Sequence, residues 1–600
     1  MFPFLFIFPG LLLIFTREPW TEGSEDPLKG FSGVVFTSLA FWVFSYWLTG
    51  IFHVRLSVLF PSLSVVFLAA FIVLLIKKGL PRPVRFSGRD LGAFGLFLTG
   101  ILLRAAPALN RITGSVGDMT QHNDMTRVIL AHDGFSKTYE PFFPFSNFGE
   151  YPPGFHTLSA ILCQNSGLPF YRATQWMSVV PYALLHLALY CILRGTFGKV
   201  RSMALSLAVL LLSHYPQFLN QWGSSTTALS AAFLFYGFYL LSKLARAGMP
   251  ARTDQAATGL VLSAGLLSHL VPPIGFIFYF LISFALRFRG QKVAALRALK
   301  NMAPALLAAA VLILPFLFNF DFTVLESSKA VLSMGHESSA ARITGLIPFS
   351  NPILKFAGDA AALFVFLLGP FVSVLVLAGL ALSKDRAVKT EFIAFGLMFL
   401  ALYACFRFHA FPSSHLFQVE RIHYFLLIPA AVLIGQAVTK KAFALSAVIL
   451  LMAGGWESKK RDFKSHYTLF KEDRKIPPFL ARDLAFGSYW AYAFDRTNAG
   501  VTQADLDAFL WIEENTPGDA VFKVNYADGG HLIPSFTGRA IQDPHGMDIW
   551  HGAELSAWNE AHPPTHLYLG ADPNPAYPAA CAREGELLYA SGGAAVYKLP

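Results

Sequence analysis

The feature that most constrains this chain is a succession of apolar runs, each near the length that spans a bilayer. They lie near residues 2–16, 31–51, 57–76, 91–108, 172–193, 203–219, 224–242, 302–318, 361–382, 391–408, 422–438 and 442–455. A longer run at 256–286 is broken at His269–Pro273 (HLVPP) and reads as a hairpin of two short helices. A single soluble core stops growing near ~250–300 residues, whereas this chain has 600, of which 54% are hydrophobic and 14% charged. Soluble domains carry about 45–50% apolar and roughly 25% charged residues. The solvent for this much apolar sequence is therefore lipid, and the expected fold is a polytopic α-helical membrane protein of about fourteen helices. The first run lacks a basic leading region and continues into TREPWTEGSED rather than a small-residue cleavage site, so it reads as a helix.

Lys plus Arg exceeds Asp plus Glu by 47 − 37 = +10. The basic residues gather in short loops near 77–89, 194–201, 243–252, 287–300, 384–389 and 440–441. That pattern sets membrane orientation, with these loops cytoplasmic, and is not a nucleic-acid surface. Alternation then puts the loops 109–151, 319–360 and 409–421, and the tail from 457, on the extracytoplasmic face. The segment 152–169 would break the alternation if it crossed, so it reads as a re-entrant or interfacial helix. The expected division is a membrane module at 1–456 and an extracytoplasmic α/β domain at 457–600. In that tail Thr502-Gln-Ala-Asp505 resembles a capping box opening a helix with an apolar stripe of Leu506, Phe509 and Leu510. Strand-like runs follow at 520–525, 565–569, 586–590 and 594–599. Cys163, Cys191, Cys405 and Cys581 are too scattered for a disulfide framework or thiolate metal site. Walker A, Rossmann and HExxH motifs are absent.

Polar chemistry concentrates in the first long loop, which holds Asp118, His122, Asp124, Arg127, His132, Asp133, Glu140, Glu150 and His156. If 118–131 is helical, Asp118 and His122 share a face, and Met125, Val128, Ile129 and Leu130 offer an apolar side for lying on the membrane. A carboxylate there is ionised at neutral pH and suits a general base for an attacking hydroxyl. Either Asp118 or Asp124 fills that role. The same acids with His122 also make a mixed oxygen and nitrogen set for a divalent metal, Mg or Mn. A solvated loop with polar caps is the plain alternative. Further on, His269 precedes Pro272-Pro273, and Glu420-Arg421-x-His423 opens a late helix. Near a helix end such groups can snorkel harmlessly, or Arg421 can meet a phosphate with bidentate geometry. Arg127, Arg104 and Arg111 are further candidates for that role. His336, Glu337 and Arg342 lie in the second loop, where they would close over a substrate or belong to a plain connector. Arg539 and Trp511 in the tail read as turn and core residues.

The spacing Asp118-x-x-x-His122, then about thirty residues, then Glu150-Tyr151-Pro152-Pro153-Gly154 resembles the first external loop of GT-C glycosyltransferases. These are polytopic enzymes that use polyprenyl-phosphate-linked sugars, and protein mannosyltransferases and aminoarabinose transferases look similar here. The tail segments FLWIEENTPGDAVFKVN, GRAIQDP and THLYLG look like the extracytoplasmic domain of many bacterial GT-C-like proteins. The resemblance implies a GT-C-like fold and an acid of this loop, matched by Asp118, as catalytic base. His122, Arg127, Glu150, Tyr151, His269, Arg421 and His423 are the expected substrate contacts. The partners it implies are a lipid-linked sugar donor, a glycan, lipid or protein acceptor, and membrane lipids. The expected setting is cell-envelope glycan biosynthesis at the bacterial inner membrane. Two other readings stand beside it: a transporter or flippase of a lipid-linked or anionic solute, which shares the broken helix, and a non-catalytic scaffold of the same fold.

Overall fold

The computed structural model describes residues 6–16, 26–79, 86–110, 112–113, 118–143, 145, 148–149, 151–213, 224–320, 358, 363–364, 367–407, 419–437, 501–525, 529–542, 547–571 and 585–600. Among them, six helices are long and apolar enough to cross a membrane: Pro27–Phe52, Leu56–Lys78, Phe170–Leu193, Ser225–Arg246, Lys292–Asn319 and Arg386–Cys405. Shorter apolar helices lie at Pro272–Arg287, Val372–Leu382 and His423–Ala437. The chain is a polytopic helical membrane protein with a small sheet near its C-terminal end. Of the apolar runs read from the sequence, 442–455 lies outside the described residues, as do His336, Glu337 and Arg342. Burial sorts the spanning helices. Ser225–Arg246 is 78% buried and lies at the centre, whereas Leu56–Lys78 is 11% buried and turns its Val and Ile side chains outward.

The broken run behaves as expected, with helices Arg252–Leu266 and Pro272–Arg287 on either side of the HLVPP turn. The segment after Pro152-Pro153 forms a helix, Gly154–Ser166, of 13 residues. At ~1.5 Å per residue it is about 20 Å long, too short to cross a ~30 Å hydrocarbon core. Its first turn docks on the HLVPP break, where the Gly154 amide donates to the Leu267 carbonyl at 2.9 Å. That carbonyl sits just past the end of Arg252–Leu266, where a helix has no partner of its own to offer.

The C-terminal domain is built as an α/β layer. Helix Gln503–Asn515 carries the full capping box, with Thr502 and Asp505 bonded reciprocally. Asp505 also accepts from Tyr568 Oη at 2.5 Å and from the Ala571 amide at 2.8 Å, which ties the helix to the sheet. The sheet comprises β1 (Val521–Val524), β2 (Ala540–Ile541), β3 (His566–Leu569), β4 (Glu586–Ser591) and β5 (Ala594–Lys598), in the order β2-β1-β3-β5-β4. β1 runs parallel to β2 and β3, and β5 runs antiparallel to β3 and β4. The expected helix stripe needs one correction: Phe509 faces the core with Ala508 and Ile512, but Leu510 is 58% exposed. Positions 505, 508, 509 and 512 follow the three-and-four spacing of one helix face, and 510 falls outside it.

The docking of Gly154 leaves no space for a side chain. A Cβ there would lie 2.6 Å from the Leu267 carbonyl oxygen and 2.9 Å from Val43 Cγ1. Gly154→Ala is expected to destabilise the protein by about 1–3 kcal/mol through overpacking against backbone. A lowered apparent melting temperature in detergent would show it, and wild-type melting would mean that this contact is looser than the geometry requires.

Candidate active site

Two of the loop acids, Asp118 and Asp124, belong to one helix, Asp118–Ala131. Its apolar side does not lie on the membrane as the sequence suggested: Met125, Val128 and Ile129 are fully buried inside the protein. They pack into the main core with the short Gly154–Ser166 helix. Asp118 and His122 share a face, and Asp124, six residues from Asp118, points elsewhere at ~100° per residue.

Asp118 opens the helix, where the dipole favours a negative charge. Its Oδ2 accepts from Ser224 Oγ and lies 3.9 Å from Arg421 Nη2. Its Oδ1 makes no hydrogen bond to a described residue. The carboxylate side chain is 31% exposed and the guanidinium 23%, so this ion pair is partly open to solvent. Arg421 also donates to His269 Nε2, and to Thr227 Oγ1 at 3.3 Å.

Around this pair stands a group of rings, with His122, His156 and His269 buried and Tyr151 partly buried. The Tyr151 hydroxyl is hydrogen-bonded to Thr226 Oγ1 at 2.9 Å. Its ring centroid is 5.7 Å from that of His269, 5.8 Å from His156 and 6.5 Å from His122. His122 Nδ1 and His156 Nε2 are 3.0 Å apart. Burial pushes the Tyr151 hydroxyl up to about 12, with the Arg421 charge opposing it, so the phenol stays protonated at neutral pH. The structure thus assembles Asp118, His122, Tyr151, His269 and Arg421 from four separate stretches of chain.

The other candidates are placed differently. Asp124 is 2% exposed and accepts from Ser535 Oγ of the C-terminal domain. Burial pushes its carboxyl well above the usual range, with the Ser535 hydrogen bond opposing. Arg127 is held between aromatic faces, 5.6 Å from the Phe142 centroid and 5.5 Å from Phe170. His423 is fully buried with its ring 4.9 Å from Tyr424. Arg104 is buried over the Tyr182 ring at 4.7 Å and donates to the Leu210 carbonyl at 3.0 Å. Glu150, Arg111 and the Glu420 side chain lie outside the described residues. Asp118, His122 and Asp124 do not converge as a metal cradle, and among the described residues no group of three His, Cys, Asp or Glu side chains does. In the tail, Arg539 donates to the carbonyls of Thr537, Glu513 and Thr516, as a turn residue would. Trp511 stacks on Tyr589 with centroids 5.3 Å apart.

Sequence reasoning passed over three hydroxyls. Ser224, Thr226 and Thr227 open the central helix Ser225–Arg246, and they hold Asp118, Tyr151 and Arg421 respectively. The signal was present as four consecutive polar residues, Ser224-Ser-Thr-Thr227, heading an otherwise apolar run. His156 was read only as part of the loop and Ser535 not at all.

No protein-family model matches the chain. No curated protein matches it either. Among solved structures, the chain is similar to ArnT from Cupriavidus metallidurans bound to undecaprenyl phosphate, with 12% identity and a TM-score of 0.45 over 84% of this chain and 97% of that one. It is also similar to the Archaeoglobus fulgidus oligosaccharyltransferase in its apo form, with 13% identity and a TM-score of 0.43 over 79% of this chain and 69% of that one. Residue roles do not transfer at this depth of likeness.

The buried imidazoles give the site a pH signature. Burial holds His156 and His269 well below the usual 6.5; the neighbouring His122 adds to this at His156, and Arg421 and then His122 add to it at His269. In the unfolded chain both rings take up protons below about pH 6.5, while the folded protein keeps them neutral. The unfolded state therefore binds more protons as pH falls. Stability is complete above that pH and declines below it, by up to about 1.4 kcal/mol per pH unit for each ring. Melting in detergent between pH 7 and pH 5 is expected to show this decline, with a shallower slope in His156→Gln. An unchanged slope would remove His156 as a cause.

Proposed function

We propose that this chain is a membrane glycosyltransferase that moves a sugar from a polyprenyl-phosphate donor to an acceptor hydroxyl on the extracytoplasmic side, with inversion at the anomeric carbon. The observation that carries the reading is the disposition of Asp118. One of its oxygens is anchored by Ser224 and lies near Arg421, and the other makes no hydrogen bond to a described residue, on a side chain that is 31% exposed. As the acceptor oxygen attacks the anomeric carbon, its proton passes to Asp118 Oδ1. The bond between that carbon and the phosphate oxygen breaks, and its electron pair leaves with the polyprenyl phosphate. Arg421, fixed by Thr227 and His269, faces the charge that grows on the departing phosphate. A single carboxylate at the reacting centre suits one direct displacement, hence inversion.

Tyr151, neutral and hydrogen-bonded to Thr226, is assigned to the wall of the sugar site together with His122 and His269. Asp124 is assigned no part in proton transfer, because its carboxyl is sealed against Ser535. The positive-inside pattern supports a bacterial plasma-membrane setting with this site outside. Glycan, lipid and protein acceptors all present the hydroxyl that the reaction requires.

The test is transfer of labelled sugar from a panel of polyprenyl-phosphate donors into membrane glycans, at matched expression. Asp118→Asn is expected to lower turnover by at least about 10²-fold, in line with loss of a general base. Arg421→Gln should fall similarly, while Asp124→Asn, which keeps an acceptor for Ser535, should retain most turnover. Full activity in a folded Asp118→Asn protein would refute the assignment. Binding of the donors with no transfer by wild type would favour a flippase or scaffold.

A further inference from the structure

We propose that the C-terminal domain positions the Asp118 helix, with Ser535 and Phe536 as positioning residues for the proposed transfer; this rests on the transferase reading. The domain grips the surroundings of the site at three points. Ser535, itself fully buried in the short helix Ile533–Thr537, donates its hydroxyl to Asp124 Oδ1 in the middle of the Asp118–Ala131 helix. Phe536 stacks on Tyr171 with centroids 4.9 Å apart and an interplanar angle of 28°, and lies 5.0 Å from Phe170. Phe170 in turn covers the Arg127 guanidinium of the same Asp118 helix. Ile112, six residues before Asp118, packs against the hydrophobic core of the domain itself.

These contacts converge on one rigid lever. Asp124 is six residues from Asp118, about 9 Å along a helix rising ~1.5 Å per residue, so a shift at Asp124 is carried to the carboxylate. Burial of Asp124 requires a partner, since an unmatched polar group in an apolar interface is unfavourable, and Ser535 supplies it. The phenyl ring of Phe536 is joined to the domain core by Phe509, at 5.1 Å, so the grip reaches back to the helix that the capping box starts. An extracytoplasmic domain that only tethered a partner would have no use for a buried hydroxyl aimed into the helix bearing the reactive acid.

The experiment uses the full chain in detergent or nanodiscs and has two readouts. Hydrogen exchange of residues 118–131 is followed by mass spectrometry in wild type, Ser535→Ala, Ser535→Thr and Phe536→Ala, and donor-dependent transfer is measured on the same preparations. Exchange in this helix is expected to rise about tenfold in Ser535→Ala and Phe536→Ala through local opening. Their kcat should fall about tenfold, with donor KM within about twofold, because the acid is misplaced while the donor contacts remain. Ser535→Thr, which keeps the hydroxyl, should restore both. Unchanged exchange at 118–131 overturns the proposal, and so does raised exchange with intact kcat. If wild type shows no transfer from any donor while exchange still rises in the variants, the transferase reading fails and the role in transfer with it, though the contact itself is real.

Discussion

One backbone hydrogen bond, from the Gly154 amide to the Leu267 carbonyl, organises the region that carries the polar chemistry. A helix interrupted near the membrane leaves carbonyls without partners, and lipid supplies none. Here the interruption at HLVPP is met by the first turn of the Gly154–Ser166 helix, whose own leading amides also need acceptors. Two defects satisfy each other. The absence of a Cβ at Gly154 lets the backbones close, and Pro152-Pro153 restricts the approach of the chain. Tyr151 and His269 flank this contact in sequence, which is why their rings meet at an interplanar angle of 83°.

The second constraint is electrostatic. Arg421 stands at the edge of a helix bundle, where an unmatched cation is costly. Among its neighbours are the Asp118 carboxylate, the Thr227 hydroxyl and the His269 imidazole, each held by a different stretch of chain. The two imidazoles kept neutral by burial add dipoles without adding charge. The cluster therefore holds an ion pair, Asp118 and Arg421, near enough to the surface for an anionic ligand to compete for the guanidinium. Pairing that were fully buried would resist such exchange, because separating the ions would strand each in a medium of low dielectric.

Much of this architecture was readable from the chain. Runs of membrane length, the HLVPP break, the 118–131 helix and the Thr502 capping box are local signals, and local physics fixes them. The four strand runs appear within a residue or two, whereas β2 escaped because two residues carry no periodicity. Leu510 was misjudged against the helix's own spacing, whereas the buried face of the Asp118 helix was misjudged for a long-range reason. Which apolar side meets lipid and which meets protein depends on partners distant in sequence. Ser224 lies 106 residues from Asp118, and Ser535 lies 411 from Asp124, so no spacing rule reaches either.

The pair of acids on one helix shows what the fold adds to the sequence. Asp118 and Asp124 are chemically identical and lie within two turns of each other on one helix. Sequence alone left them equivalent. Six residues at ~100° each is ~600°, so the two carboxyls leave the helix on well-separated faces. One meets a cation in a partly exposed position and has an oxygen with no hydrogen bond to a described residue, while the other meets a serine in a sealed interface. A base must exchange its proton with substrate, which the first environment permits and the second forbids. A structural pin must be inaccessible, and the burial that seals the second carboxyl also pushes its pKa well above the usual range. On the proposed reading the helix thereby puts one residue type to two uses, with helix geometry separating the faces and the C-terminal domain gripping one of them.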